Sequence, residues 1–385
     1  MRILGSLVVS VVSICGSSAF VVGGGPQTGR QQQQQHSSPL AAAKGFGVSN
    51  AKNSDPNNNN KKKKAKKNKK QSSNNKPFVK SEQEDLIASL AAKAADTCIG
   101  RAVASAPPSD DQDFWSLMPS LISSRFPNVQ DNQLERVAGF IRHTLDPTLP
   151  LDGDILNNPH RPVDQIHAWM PGLGPTQPFY DPQQVKLCQL LSDNYETIKS
   201  EYDALLQDMQ QEGNKDRFQS VTSMNYDSGW KTLVLFYNGH RIPNFPYHLC
   251  PVTTKLLETV PLAGRIAGFN RQQPKTGIPL HTDGNNMWLT CQMGIYVPGD
   301  GQYASIRVGP EQKYWKQGEC LLYDTTYQHE TMNDHPTEER VVLHVDFFNI
   351  LAMTPIEIEV MQYIYNLREQ FMKAEGVEKV GAQIL

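Results

Sequence analysis

The chain has a single acidic side chain, Asp55, before Glu82. Residues 1–76 set 13 Lys and Arg against that one acid, which leaves 24 of the 37 basic and 38 of the 39 acidic side chains to residues 77–385. The formal net charge of -2 therefore joins a basic leader to an acidic body. An acidic body repels phosphates, so no specific nucleic-acid partner is expected. Cysteine is also scarce. Cys15, Cys98, Cys188, Cys250, Cys291 and Cys320 are widely spaced and form no CxxC, which excludes a disulfide framework and a zinc-finger pattern. Most of them fit the role of small buried hydrophobes. Long apolar runs are missing too. The run Ile3–Cys15 is too short to span a bilayer, and no transmembrane segment is expected in the mature chain. Hydrophobic content of 38% with a mean hydropathy of -0.49 implies that part of the chain stays unfolded. There is no internal repeat.

The leader has its own organisation. Arg2, the apolar run Ile3–Cys15, and Ser17 and Ala19 at cleavage-site spacing form the layout of a secretory signal. Phe20 to Ser54 is free of acids and rich in Gln, Ser and Gly, as transit peptides are. A signal, the junction "SSAF" and such a stretch together resemble the bipartite presequence of plastid proteins in algae with secondary plastids. Delivery to a plastid is the expectation, with the secretory lumen or secretion as the alternative. Residues 46–76 are low-complexity and can bury no core. The Lys cluster at 61–70 could bind RNA or an anionic membrane, but it lacks the interleaved aromatics or Arg of a basic binding module, so it reads as a solvated linker or part of the targeting region.

Order is expected from Pro77. "SEQEDLIASLAAKAADTCIGRAVA" opens with Ser81 and Glu84 at capping-box spacing and continues with helical periodicity. "NQLERVAGFIRHTL" is a second helical stretch. A third starts at Asp181 as N-cap with Pro182 in the first turn, and Leu187, Leu191, Tyr195, Ile198, Tyr202, Leu205 and Met209 mark its buried face. After residue 216 short alternating runs take over. "NMWLTCQMGIYV" puts Met287, Leu289, Cys291, Met293, Ile295 and Val297 on one face, and "YASIRVG", "GECLLYD" and "RVVLHVDFF" are further strands. Short strands without intervening helices predict an α+β protein with a double-stranded β-helix (jelly-roll, cupin-like) core between packing helices. The expected division is 1–45 presequence, 46–76 disordered linker, 77–215 helical region, 216–352 jelly-roll domain and 353–385 C-terminal helix.

The stretch "HTDGNN" carries the chemistry. At a strand end, residues i and i+2 point the same way, so His281 and Asp283 can converge on one point. A third ligand is offered by His329, 48 positions later and just past another predicted strand. Two imidazoles and a carboxylate make the facial triad of non-haem Fe(II) oxygenases, although zinc would accept the same set. Arg340 favours iron. It stands eleven residues after His329 at the head of "RVVLHVDFF", and the turn before it is expected to lay that strand beside the one preceding His329. There a permanently charged, forked donor suits the far carboxylate of a dicarboxylic co-substrate whose other end chelates the metal. A zinc hydrolase has no use for that group. Asp324 and Thr325 stand just before His329, where they either orient a ligand or form an ordinary turn. His344 shares an inward face with Arg340, Val342 and Asp346.

The segments "AWMPGLGPTQPFYDP", "GWKTLVLFYNG", "CPVTTKLLETVP", "AGFNRQQPKTGIPLHTDGNN", "QMGIYVP", "YWKQGECLLYDTTYQHE" and "ERVVLHVDFF" occur in the order found in the aspartyl/asparaginyl beta-hydroxylase family. Over roughly residues 165–350 the chain resembles that family, which comprises 2-oxoglutarate- and Fe(II)-dependent oxygenases. The resemblance implies that His281 and His329 bind iron and that Arg340 grips 2-oxoglutarate. It sets Asn270 where the family often has a Ser assisting that grip, and Gln292 where a His commonly contacts the co-substrate. Asn286 and Trp315 also fall on family positions. Animal members that hydroxylate Asp and Asn have Gly in place of Asp283 and use two histidines only, whereas other branches, some acting on small molecules, keep an acid. The expectation is an O2-consuming hydroxylase of a peptidyl or small-molecule substrate. The alternative is a non-catalytic jelly-roll protein that binds a metal or dicarboxylate as a sensor or scaffold.

Overall fold

A computed structural model describes residues 82–108, 111–211, 213–220 and 229–374. The expectations for the presequence, the Lys-rich run and the Ser81 cap lie outside the described residues. Eight α-helices run through these residues: α1 (Glu82–Ala95), α2 (Cys98–Ala104), α3 (Gln112–Arg125), α4 (Glu135–Leu145), α5 (Lys186–Asp193), α6 (Tyr195–Gln210), α7 (Pro251–Leu257) and α8 (Pro355–Ala374). The strands are β1 (Phe179–Tyr180), β2 (Phe218–Gln219), β3 (Trp230–Tyr237), β4 (His240–Arg241), β5 (Leu262–Gln272), β6 (Thr276–His281), β7 (Trp288–Tyr296), β8 (Ala304–Val308), β9 (Glu311–Tyr314), β10 (Cys320–Tyr323), β11 (His329–Asn333) and β12 (Arg340–Phe348).

The strands form two antiparallel sheets, one in the order β1-β10-β7-β12-β5-β3-β2 with β4 on β3, the other β6-β11-β8-β9. From β5 to β8, and again from β10 to β12, the chain steps from one sheet to the other at each strand. That alternation is the winding of a double-stranded β-helix, and with the flanking helices it makes the α+β jelly roll expected from the strand texture.

β12 shows how the pattern divides inside from outside. Val341, Leu343, Val345 and Phe347 join the core against α5, α6 and α7, while Arg340, Val342, His344 and Asp346 alternate with them. β7 does the same: Leu289, Cys291, Met293 and Ile295 pack under the helices, and Thr290 and Gln292 line a pocket on the other side. The predicted apolar face of β7 is shorter than its alternation suggested. Met287 precedes the strand and packs with the N-terminal helices, and Val297 follows it and packs between the sheets. A separate core ties α2, α3 and α4 to α8, and Arg136 of α4 pairs with the buried Glu357 of α8. No helix among the described residues is long and apolar enough to cross a membrane.

The helices are more broken than the periodicity implied. Thr97 interrupts the first, because its Oγ1 accepts from the Gly100 N–H at 3.1 Å and starts α2. Asp181 caps a short 3-10 turn rather than a long helix, and the stripe continues through α5 and α6 across a break at Asn194, whose amide donates to the Leu190 carbonyl. Leu187, Leu191, Ile198, Tyr202 and Leu205 are nonetheless buried together.

Glu201 in α6 is buried and accepts from the Val252 and Thr253 N–H groups, both at 2.8 Å, and from the Thr253 hydroxyl at 2.6 Å. It thereby supplies the first turn of α7 with the acceptor that the helix lacks. Glu201→Ala is expected to cost about 2–3 kcal/mol in denaturant unfolding, since it strands buried donors. Glu201→Gln, which keeps one acceptor oxygen, should lose about half as much.

Candidate metal and dicarboxylate site

β6 and β11 are antiparallel neighbours, and their register sets His281 directly opposite His329. The two rings lie with centroids 4.2 Å apart. Each ring has its Nδ1 against a carbonyl two residues back, His281 on Pro279 at 2.8 Å and His329 on Tyr327 at 2.9 Å. Those contacts fix Nδ1 as the protonated nitrogen and leave both Nε2 lone pairs free, the tautomer a metal ligand needs. Burial, then the neighbouring His281, pushes His329 down to about 4, so it is neutral at ordinary pH.

Asp283 follows β6 by two residues, and its N–H donates to the Thr325 carbonyl at 2.9 Å. Its Oδ2 is 4.0 Å from His329 Nε2, and ligand atoms of His281, Asp283 and His329 all lie within 4.8 Å of one another. Burial would raise the Asp283 carboxyl, but Arg265, then the two histidines, hold it well below the usual carboxylate range. Gly284 next to it has φ +64°, and a Cβ there would meet His167 Nδ1 at 2.3 Å and the Gln165 carbonyl at 2.4 Å. The turn that delivers Asp283 therefore requires glycine.

Arg340 is fully buried, and among the described residues none of its three guanidinium nitrogens has a hydrogen-bond partner. Its guanidinium carbon lies 4.5 Å from the Trp230 ring centroid and 4.2 Å from that of Trp315. The two indoles hold the fork by cation–π contact and leave its in-plane donors unused. Burial lowers the guanidinium to about 9, partly offset by Tyr323, so it remains a cation at neutral pH. β12 pairs with β5 and β7, not with β10 as the turn suggested, because β11 crosses into the other sheet. The register instead sets Trp230, Gln272 and Arg340 side by side on β3, β5 and β12.

Asn270 and Gln292 line one pocket with His281, Asp283 and His329. Each has a buried carbonyl oxygen without a hydrogen-bond partner among the described residues, Asn270 Oδ1 and Gln292 Oε1. Gln292 Nε2 sits 2.9 Å from His344 Nδ1, and His344 Nε2 is 3.0 Å from Asp346 Oδ2. Other expected residues have structural work. Asn286 pins Met170 by two backbone hydrogen bonds, at 2.8 and 2.7 Å. Asp324 accepts from the Thr326 N–H and hydroxyl and so closes the β10–β11 turn, and Thr325 acts on Asp283 through its carbonyl. Sequence reasoning missed Trp230 as the second face of the Arg340 sandwich. It also missed Arg265, which pairs with Asp283 and lies 3.6 Å from Asp346.

Residues 192–349 match the family model described as aspartyl/asparaginyl beta-hydroxylase. That stretch of the chain is similar to the family. It contains His281, Asp283, His329, Arg340, Asn270 and Gln292. An ornithine lipid ester-linked acyl 2-hydroxylase of Rhizobium tropici is 29% identical over 171 residues, 44% of this chain and 60% of the relative. Aspartate beta-hydroxylase domain-containing protein 2 of Xenopus tropicalis is 28% identical over 218 residues, 51% of this chain and 54% of the relative. Human aspartyl/asparaginyl beta-hydroxylase is 26% identical over 182 residues, 45% of this chain and 23% of the relative. The chain thus spans 60% or less of the length of these beta-hydroxylase-family relatives.

Proposed function

We propose that the protein is a 2-oxoglutarate- and Fe(II)-dependent dioxygenase that hydroxylates a C–H bond. The observation that carries this reading is Arg340, a buried fork whose nitrogens have no hydrogen-bond partner among the described residues, on the same face of β12 as His344, which lines the pocket of His281, Asp283 and His329. A buried guanidinium without hydrogen bonds is costly unless a ligand completes it. The donor set supports iron: two imidazoles and one carboxylate leave coordination positions for a chelating oxo acid and O2.

Charge balance supports the same pair of ligands. Asp283 and Asp346 offset Arg265 and Arg340, and a divalent cation with a dianionic oxo acid adds no net charge. When bound, iron with 2-oxoglutarate and O2 supplies the oxidising chemistry, which yields succinate, CO2 and an alcohol from a C–H bond. The chain's part is positional. His281 and His329 present Nε2, Arg340, held between Trp230 and Trp315, would bind the far carboxylate, and Asn270 and Gln292 direct polar groups into the pocket. Buried Ile278 and Tyr323 on its wall limit water.

The substrate is a peptide side chain or a small molecule. The relatives' names extend that range to a lipid acyl chain, and the retained acid at Asp283 separates this chain from the animal branch that acts on Asp and Asn. Anaerobic addition of Fe(II) and then 2-oxoglutarate should produce a visible metal-to-ligand charge-transfer band. Admission of O2 should release CO2 from C1-labelled 2-oxoglutarate. A protein that binds metal yet shows neither signal would instead be the non-catalytic sensor or scaffold.

A further inference from the structure

We propose that Arg265 is a positioning residue that holds the Asp283 carboxylate in the attitude needed for metal binding; this rests on the metal reading above and adds to it. Arg265 leaves β5 beside the pocket, and its Nη1 pairs with Asp283 Oδ2. Among the described residues no other side chain donates to that carboxylate. That same oxygen is the one 4.0 Å from His329 Nε2, so Arg265 fixes the carboxylate atom nearest the other candidate ligands, and a further lone pair of the carboxylate stays available to a cation.

The arginine is itself held on several sides. Its Nε lies 3.6 Å from Asp346 Oδ2, and its guanidinium carbon is 5.8 Å from the Trp288 ring centroid. Asp346 is in turn fixed by the Thr290 hydroxyl, which donates to Oδ1 at 2.6 Å, and His344 Nε2 lies 3.0 Å from Oδ2 without hydrogen-bond alignment. His344 Nδ1 then meets Gln292 at 2.9 Å. A line of neighbouring polar groups thus runs from Asp283 through Arg265, Asp346 and His344 to Gln292, and its first member, Arg265, holds a carboxylate that stands in a loop, outside any strand.

Two effects of removing Arg265 oppose each other. A freed carboxylate loses its orientation, which weakens metal binding. The loss of a nearby positive charge strengthens it. Arg265 already spends its charge on Asp283 and Asp346 and is 27% exposed, so solvent and Asp346 damp the second effect. Loss of orientation dominates, within the range of about 10–100-fold that outer-shell partners of metal ligands contribute.

Anaerobic titration of the full-length protein with Co(II), followed through the visible d–d bands, tests the inference. Arg265→Met should weaken Co(II) binding about 10–100-fold and change the band shape, and Arg265→Lys should restore part of both. Metal-free unfolding midpoints of both variants identify any loss that comes from misfolding. In an Asp283→Ala background, Arg265→Met should cause no further loss. Unchanged or tighter binding in folded Arg265→Met, or an equal loss with Asp283 already removed, would overturn the proposal. Wild-type binding by His281→Ala would overturn it by a different route, because the metal reading beneath it would fail.

Discussion

Arg340→Met is expected to make the ligand-free protein more stable and to abolish its response to 2-oxoglutarate. The guanidinium is fully buried, its nitrogens are unpartnered, and its companions are two indole faces. Replacing a buried charge by an apolar side chain of similar volume is neutral to stabilising, by up to about 4 kcal/mol. Function runs the other way. A bidentate, charge-assisted grip of about 3 kcal/mol is lost, which corresponds to roughly a hundredfold fall in kcat/KM for 2-oxoglutarate. Thermal unfolding with and without the oxo acid reads both effects. The midpoint of the wild type should rise with the ligand, which adds about 2.7 kcal/mol of stability at a hundred times Kd, and that of Arg340→Met should hardly move. A variant that is less stable yet still responds to 2-oxoglutarate would show that Arg340 is a structural residue.

The ordered residues of the site were easier to read than their supports. His281, Asp283, His329 and Arg340 stand out because each residue type is rare in its setting and their order along the chain has chemical meaning. The structure gathers the first three through a strand register, His281 opposite His329, and a glycine turn. Arg265 carried no comparable signal. It is one arginine on a strand, and its partners Asp283 and Asp346 lie 18 and 81 residues further on. Nothing local specifies a pairing that arises only when a loop, β5 and β12 meet. Trp230 has the same difficulty, because its contact with Arg340 depends on two strand registers. Among helices the apolar stripe was legible and the breaks at Thr97 and Asn194 were not, since periodicity records the buried face and says little about where hydrogen bonding restarts.

Asp283→Ala is the second substitution expected to have a large effect, on metal retention first and on turnover through it. The variant removes one of three candidate ligands. It also shifts the local balance, leaving Asp346 alone against Arg265 and Arg340 before any cation enters. Both changes oppose a divalent cation, so Fe(II) or Co(II) affinity should fall by more than about 100-fold, the upper end of what outer-shell residues contribute. Asp283→Asn separates the causes: it keeps the shape and one oxygen but removes the charge, and an intermediate loss would assign the remainder to ligation. If the defect is retention alone, saturating Fe(II) should recover kcat while the apparent iron requirement stays raised. A carboxylate that also sets the geometry of the open positions predicts that kcat stays low at any iron concentration. Near-normal turnover of Asp283→Ala at low iron would mean that the chain holds its metal with two histidines only, and the pairing of Asp283 with Arg265 would then be structural.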